Sequence, residues 1–308
     1  MNVADLTIPF SYRNYIMPLH MSRRHFLKHA LAAGAGIGTL TGCRDSVSPL
    51  LSVGICGPVR DHLDYAQSGY AYIEPTVQGF LVPEASEAEF QANLDLLRES
   101  NLSVPVANSF LPSTLKVVGP EANHEAVLGY AETAFRRARI VGIEHIVFGS
   151  GGARYIPDDF QRDQARAQFV ALLKEMAPLA ARYGITLCLE PLRRQETNFL
   201  NTVPESMAVL REVGHSHVQI TFDIYHITQE GRGVDDVHIA GGAISHCHIA
   251  EDGDRRAPGV EGDDFTPYFA ALKTIGYRGR ISVECRWQER ATELPAAVAE
   301  LTRQLAMV

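Results

Sequence analysis

The 308-residue chain has little that would let it bind nucleic acid, staple itself with disulfides or span a membrane. Its 28 Lys and Arg are outnumbered by 36 Asp and Glu, for a formal net charge of -8 and a pI near 5.8. Affinity for nucleic acid rests largely on cationic neutralisation of phosphates, so this balance excludes that class of partner and favours small polar substrates. There are five cysteines and no C-x-x-C pair. Apart from Cys43, they fall inside apolar runs (Cys56, Cys188, Cys247 and Cys285), which suits small buried side chains better than a disulfide framework. The apolar, Gly/Ala-rich stretch at 30–40 is too short for an ordinary membrane span. The Gly149-Ser150-Gly151-Gly152 run lacks the Lys-Ser/Thr of a nucleotide-binding loop and reads as a flexible loop at a pocket mouth, with Arg154 in reach of a substrate.

What is present is an alternation of short apolar runs and helical patterns. Strands are predicted at 51–56, 70–74, 104–108, 143–148, 185–189, 217–222, 243–249 and 280–283. Helices are predicted at 59–65, 87–100, 123–141, 161–183, 204–213, 233–240, 266–275 and 293–306, with Asn123 as an N-cap and Gly184 and Gly214 as helix ends. Eight β/α units over about 250 residues predict an α/β fold, a single (β/α)8 TIM barrel at 50–308. Residues 1–49 form an N-terminal extension.

Four of the later apolar runs end on a metal-competent side chain: Glu190, Asp223, His248 and Glu284. They lie 33, 25 and 36 residues apart, about one strand, one helix and their loops, so each is expected at the end of a successive strand. Any one alone is more often a cap for the following helix, but four at the same end of consecutive strands outweigh that reading. A closed barrel brings them to one face as a mixed oxygen and nitrogen set suited to a divalent ion such as Mn2+, Mg2+ or Co2+. Moving a proton on carbon next to a carbonyl needs an electrophile to stabilise the enediolate and two carboxylates to take and return the proton. Glu190 and Glu284 are the natural pair. His246 and His248 alternate with Cys247 and share one side of their strand; His248 lies nearer the rim, and His246 is read as a deeper core histidine.

These motifs, L-E-P-L at 189–192, F-D-I-Y-H at 222–226, H-x-H-I-A-E at 246–251 and S-V-E at 282–284, resemble those of the sugar phosphate isomerase/epimerase family of xylose-isomerase-like TIM barrels, in its ketose 3-epimerase and hydroxypyruvate isomerase branches. The resemblance covers residues 50–305. It implies that Glu190, Asp223, His248 and Glu284 hold one divalent ion, and that Glu196, His226 and Glu251 line the substrate pocket. It also implies a pocket arginine; the spacing here departs by one residue, making Arg255 the counterpart and Arg256 the fallback. The implied activity is sugar isomerisation or epimerisation, on a sugar or polyol-like substrate. The alternatives are a metal-dependent dehydratase of the inosose or dehydroshikimate type and a sugar-binding lipoprotein without catalysis. A DNA-repair endonuclease of the same superfold needs further histidines on early strands, and the strand ends at Glu74 and Asn108 carry none.

The N-terminus carries an address. Ser22-Arg23-Arg24-His25-Phe26-Leu27-Lys28 ahead of the apolar stretch resembles a bacterial twin-arginine export signal. Leu40-Thr41-Gly42-Cys43 resembles a lipobox, which would make Cys43 a lipid anchor. The export machinery is thus an expected partner, the location periplasmic or membrane-anchored, and a homo-oligomer is left open. Met17 and Met21 offer later starts than Met1.

Overall fold

The computed structural model describes residues 51–308. Arg23, Arg24, Cys43 and the rest of the 1–49 extension lie outside the described residues. Eight short strands follow one another: β1 (Ser52–Cys56), β2 (Ile73–Glu74), β3 (Val106–Ala107), β4 (His145–Phe148), β5 (Thr186–Leu189), β6 (Val218–Asp223), β7 (Ile244–Ile249) and β8 (Arg280–Val283). All pair in parallel, in the order β2-β1-β8-β7-β6-β5-β4-β3. The ends of that order meet. Parallel bridges join Tyr72 to Ser103 and Thr76 to Asn108, and the amides of Ile73 and Val77 donate to the carbonyls of Ser103 (3.0 Å) and Asn108 (2.7 Å). The chain is therefore a single (β/α)8 barrel, as the sequence predicts.

The helices are α1 (His62–Ser68), α2 (Glu87–Arg98), α3 (His124–Val141), α4 (Arg162–Tyr183), α5 (Val203–Val213), α6 (Ile224–Gln229), α7 (Asp235–Ala240), α8 (Thr266–Thr274) and α9 (Arg290–Leu305). Each long one turns an apolar stripe to the barrel. On α4, the buried Ala165, Phe169, Leu172, Leu173, Met176, Ala177 and Ala180 recur every three or four residues. Phe169 continues an edge-to-face chain of rings, Phe110–Phe148–Phe169–Phe199, with centroids 5.3, 5.4 and 5.6 Å apart, a geometry that adds to their area burial. Local signals hold: Asn123 caps α3 by accepting from the Ala126 amide at 3.0 Å, and α4 and α5 end at Gly184 and Gly214 with positive φ.

Three differences from the sequence reading have local causes. The second and third strands shrink to two residues, because Pro75 and Pro105 flank them and have no N–H to give a ladder. A wide helical turn at Val77–Leu81, ending at Val82 in a left-handed conformation (φ 42°), occupies what reads as loop. Helix α6 starts directly from β6, because Asp223 accepts from the His226 amide at 3.2 Å and so caps it. Among the described residues, no helix is long and apolar enough to cross a membrane, and Cys56, Cys188, Cys247 and Cys285 are free thiols.

Candidate metal centre and active site

The strand register builds the site. Asp223 at the end of β6 lies opposite His248 on β7, which lies opposite Ser282 on β8; Glu190 follows β5, and Glu284 follows β8. One potential ligand atom from each of Glu190, Asp223, His248 and Glu284 falls within 4.8 Å of the others. The imidazole is the hub. Its Nδ1 is 2.9 Å from Glu190 Oε1, 3.0 Å from Glu284 Oε2 and 4.0 Å from Asp223 Oδ2. Asp223 fulfils both readings of a strand-end carboxylate, one oxygen capping α6 and the other turned to the site.

The electrostatics suit a dication. Three carboxylates face one imidazole and one guanidinium, and burial gives them little water. Burial pushes the Glu190 carboxyl above its ordinary pKa. It pushes Glu284 the same way, but Arg255 and His248 outweigh it and pull Glu284 down to about 2. Burial disfavours a charge on His248, yet Glu74 and Glu284 raise its pKa well above the ordinary value; a proton on Nδ1 stands where a metal ion would sit. The backbone leaves room for this arrangement: a Cβ at Gly149 would lie 2.3 Å from Glu190 Oε2. The donor set, its convergence and its excess negative charge fit a divalent ion held by Glu190, Asp223, His248 and Glu284.

Above the hub opens a cavity of about 270 Å³, whose lining includes Gln78, Asn108, Ser150, Glu196, His226 and Arg255. Arg255 reaches Glu284 Oε2 at 2.7 Å and Asp223 Oδ2 at 3.4 Å, and its guanidinium lies 5.0 Å from the Tyr225 ring centroid. Arg256 turns away to Glu293. Nε2 of the buried His226 sits 3.6 Å from Asp223 and 3.9 Å from Glu196. Ser109, Ser150 and Arg255, all on the cavity wall, hold left-handed backbone (φ 48°, 38° and 55°), a strain that concentrates where a fold presents functional groups.

Two expectations fail. Glu251 does not line the cavity: fully buried, it accepts the backbone amides of Gly259, Glu261, Gly262 and Asp263 and so shapes its own loop. Arg154 does not reach for substrate, because it is fully buried and donates to the carbonyls of Phe148 (3.1 Å) and Glu190 (2.7 Å). The Gly149–Gly152 loop does line the cavity, and Ser150 Oγ accepts the Leu111 amide at 2.9 Å. The sequence reading missed Glu74, which ends β2 and lies 2.8 Å from His248 Nε2, and Asn108, whose amide donates to Glu284 at 3.4 Å. Glu74 bears the same signal as the four ligands, an apolar run closing on a carboxylate.

Known proteins share this fold. Residues 64–305 match the family described as xylose isomerase-like TIM barrel. An L-ribulose 3-epimerase from Methylomonas sp. (strain DH-1) is 30% identical over 230 residues, 71% of this chain and 75% of its own. A D-psicose 3-epimerase from Agrobacterium fabrum is 28% identical over 71% of this chain and 76% of its own. A crystal structure of D-allulose 3-epimerase from Methylomonas sp. in complex with D-allulose superposes with a TM-score of 0.71 at 26% identity, covering 83% of this chain and 98% of that one. The chain therefore belongs to the xylose isomerase-like TIM barrel family, among relatives that are named sugar epimerases and isomerases.

Proposed function

We propose that this chain is a divalent-metal-dependent sugar epimerase or isomerase that shifts a proton on the carbon beside a ketose carbonyl, through an enediolate, between Glu190 and Glu284. One observation carries the reading: two carboxylates from the two ends of the β5–β8 arc of the rim converge on His248 Nδ1 at 2.9 and 3.0 Å. Two carboxylates placed this way can take a proton from a substrate carbon and return one to it. Glu284, kept ionised by Arg255, accepts the proton from carbon while the C–H electron pair moves into the enediolate. Glu190 returns one to the other face of the same carbon in an epimerase, or to the neighbouring carbon in an isomerase, where the hydroxyl proton also passes to the former carbonyl oxygen. An ion held by the four ligands, Mn2+, Mg2+ or Co2+, would polarise the carbonyl and stabilise the enediolate charge. Glu196 and His226 on the cavity wall orient the substrate hydroxyls, and Asn108 restrains the second oxygen of Glu284.

The names of the relatives support a ketose substrate of the L-ribulose or D-psicose kind. The Ser22–Lys28 motif and the apolar stretch after it support export by the twin-arginine route, and Cys43 supports a lipid anchor on the periplasmic side. The deciding experiment is turnover of such ketoses in D2O, followed by NMR. Deuterium should enter one carbon next to the carbonyl without loss of water, and Glu190→Gln or Glu284→Gln should lower turnover by roughly 10²- to 10⁴-fold. A dehydrated product would establish the dehydratase alternative, and undiminished turnover in both variants would rule out the two-carboxylate mechanism.

A further inference from the structure

Beneath the rim, on the inner face of the barrel, lies a buried polar cluster that meets the proposed metal centre only through His248. Glu74, His246, His248 and Ser282 are fully buried. Glu74 Oε1 is 2.8 Å from His248 Nε2, and Glu74 Oε2 is 2.7 Å from His246 Nε2. Ser282 donates its hydroxyl to the same Oε2 at 2.6 Å, and Tyr72 OH lies 2.8 Å from Ser282 Oγ. One carboxylate thus meets three donors, two histidine Nε2 atoms and a serine hydroxyl. Only as an acceptor on both oxygens does it satisfy all three, which places a proton on each Nε2. The two imidazoles pack edge to face, with centroids 4.9 Å apart and planes at 89°.

We infer that Glu74 is a positioning residue for the metal centre: it takes the Nε2 proton of His248, locks that ring, and leaves Nδ1 as the atom presented to the ion. The inference rests on the reading of His248 as a ligand. His246 and Ser282 hold the other oxygen of Glu74, so the carboxylate cannot rotate away from His248. Tyr72 in turn fixes Ser282. The physical reason for such an arrangement is general. A ligating histidine whose second nitrogen donates to a carboxylate is fixed in tautomer and orientation and made a better donor to the metal, and loss of that partner typically costs about 10- to 100-fold in metal affinity. A purely structural role would demand only that the buried carboxylate be neutralised. It would not require the imidazole to stand between Glu74 on one nitrogen and Glu190 and Glu284 on the other.

The test uses metal binding rather than turnover. Titration calorimetry with Mn2+ should give one tight site in the wild-type mature chain, near-complete loss in His248→Ala, and about 10- to 100-fold weaker binding in Glu74→Gln. The visible spectrum of the Co2+-loaded Glu74→Gln protein should differ from that of wild type. Glu74→Asp, which keeps the charge at a shorter reach, should lie between the two. Because a change in this cluster can impair folding, a second measurement leaves the chain unaltered: nitrogen-15 NMR of the Zn2+-loaded wild type should show His248 coordinated through Nδ1 with Nε2 protonated. Coordination through Nε2, or a Glu74→Gln protein equal to wild type in affinity and spectrum, would overturn the inference alone. A wild-type chain that binds no Mn2+ would overturn the ligand reading and this inference with it.

Discussion

Gly149→Ala is a small change that reaches the proposed chemistry without replacing a charged group. An added Cβ would stand 2.3 Å from Glu190 Oε2 and 3.5 Å from its Cδ. A carbon and an oxygen settle at about 3.3 Å or more, so Oε2 must move by about 1 Å. The clash is with the end of a side chain beside an open cavity, and Gly149 has no positive φ to lose. Global stability should therefore stay within about 1 kcal/mol of wild type, the usual range for Gly→Ala at a compatible backbone. Function should not be spared, because a misplacement of about 1 Å in a catalytic group can cost about 10²-fold. The expected result is a thermal midpoint close to wild type with kcat/KM on a ketose lowered by about 10²-fold and weaker Mn2+ binding by calorimetry. A variant with wild-type metal affinity and kcat/KM within about twofold would show that Glu190 has slack at this position, and the geometric argument would fail.

Arg255→Lys keeps the positive charge but loses the planar fork that spans Glu284 and Asp223 and the stack on Tyr225; kcat/KM should fall by about tenfold or more, and wild-type kinetics would show that charge alone suffices. Arg23→Lys with Arg24→Lys should leave folded, metal-competent protein in the cytoplasm, read by cell fractionation, and periplasmic recovery would remove the export reading. Labelling with a radioactive fatty acid should depend on Cys43, and unlabelled wild-type protein would remove the anchor while leaving export intact.

What the sequence made legible were features whose cause is local. Asn123 announces a helix start and Gly184 a helix end because capping is decided within a few residues. Glu190, Asp223, His248 and Glu284 could be found because each closes an apolar run, and parallel strands carry that position to one rim. The failures are long-range. Glu74 gains its partner from a residue 174 positions away, and nothing near it in sequence says so. Arg154 could have run toward the cavity or under it; the carbonyls of Phe148 and Glu190 drew it under. The loop that consumes Glu251 has no periodicity from which its folding back could be read. In the short second and third strands, the missing N–H of Pro75 and Pro105 outweighed a favourable apolar pattern.

The closure of the barrel between β2 and β3 has a mechanical consequence. Elsewhere the wall is a ladder, but here it is sewn by two isolated bridges and the few amide bonds around them, so a fluctuation that parts the wall breaks least at this seam. The proposed ligands Glu190, Asp223, His248 and Glu284 stand on the laddered arc from β5 to β8, while Gln78 and Asn108 reach the cavity from beside the seam. Glu74 at the end of β2 and Asn108 beside β3 tie that seam to His248 and Glu284, so drift along it would be felt at the proposed ligands as well as in the fit of the substrate.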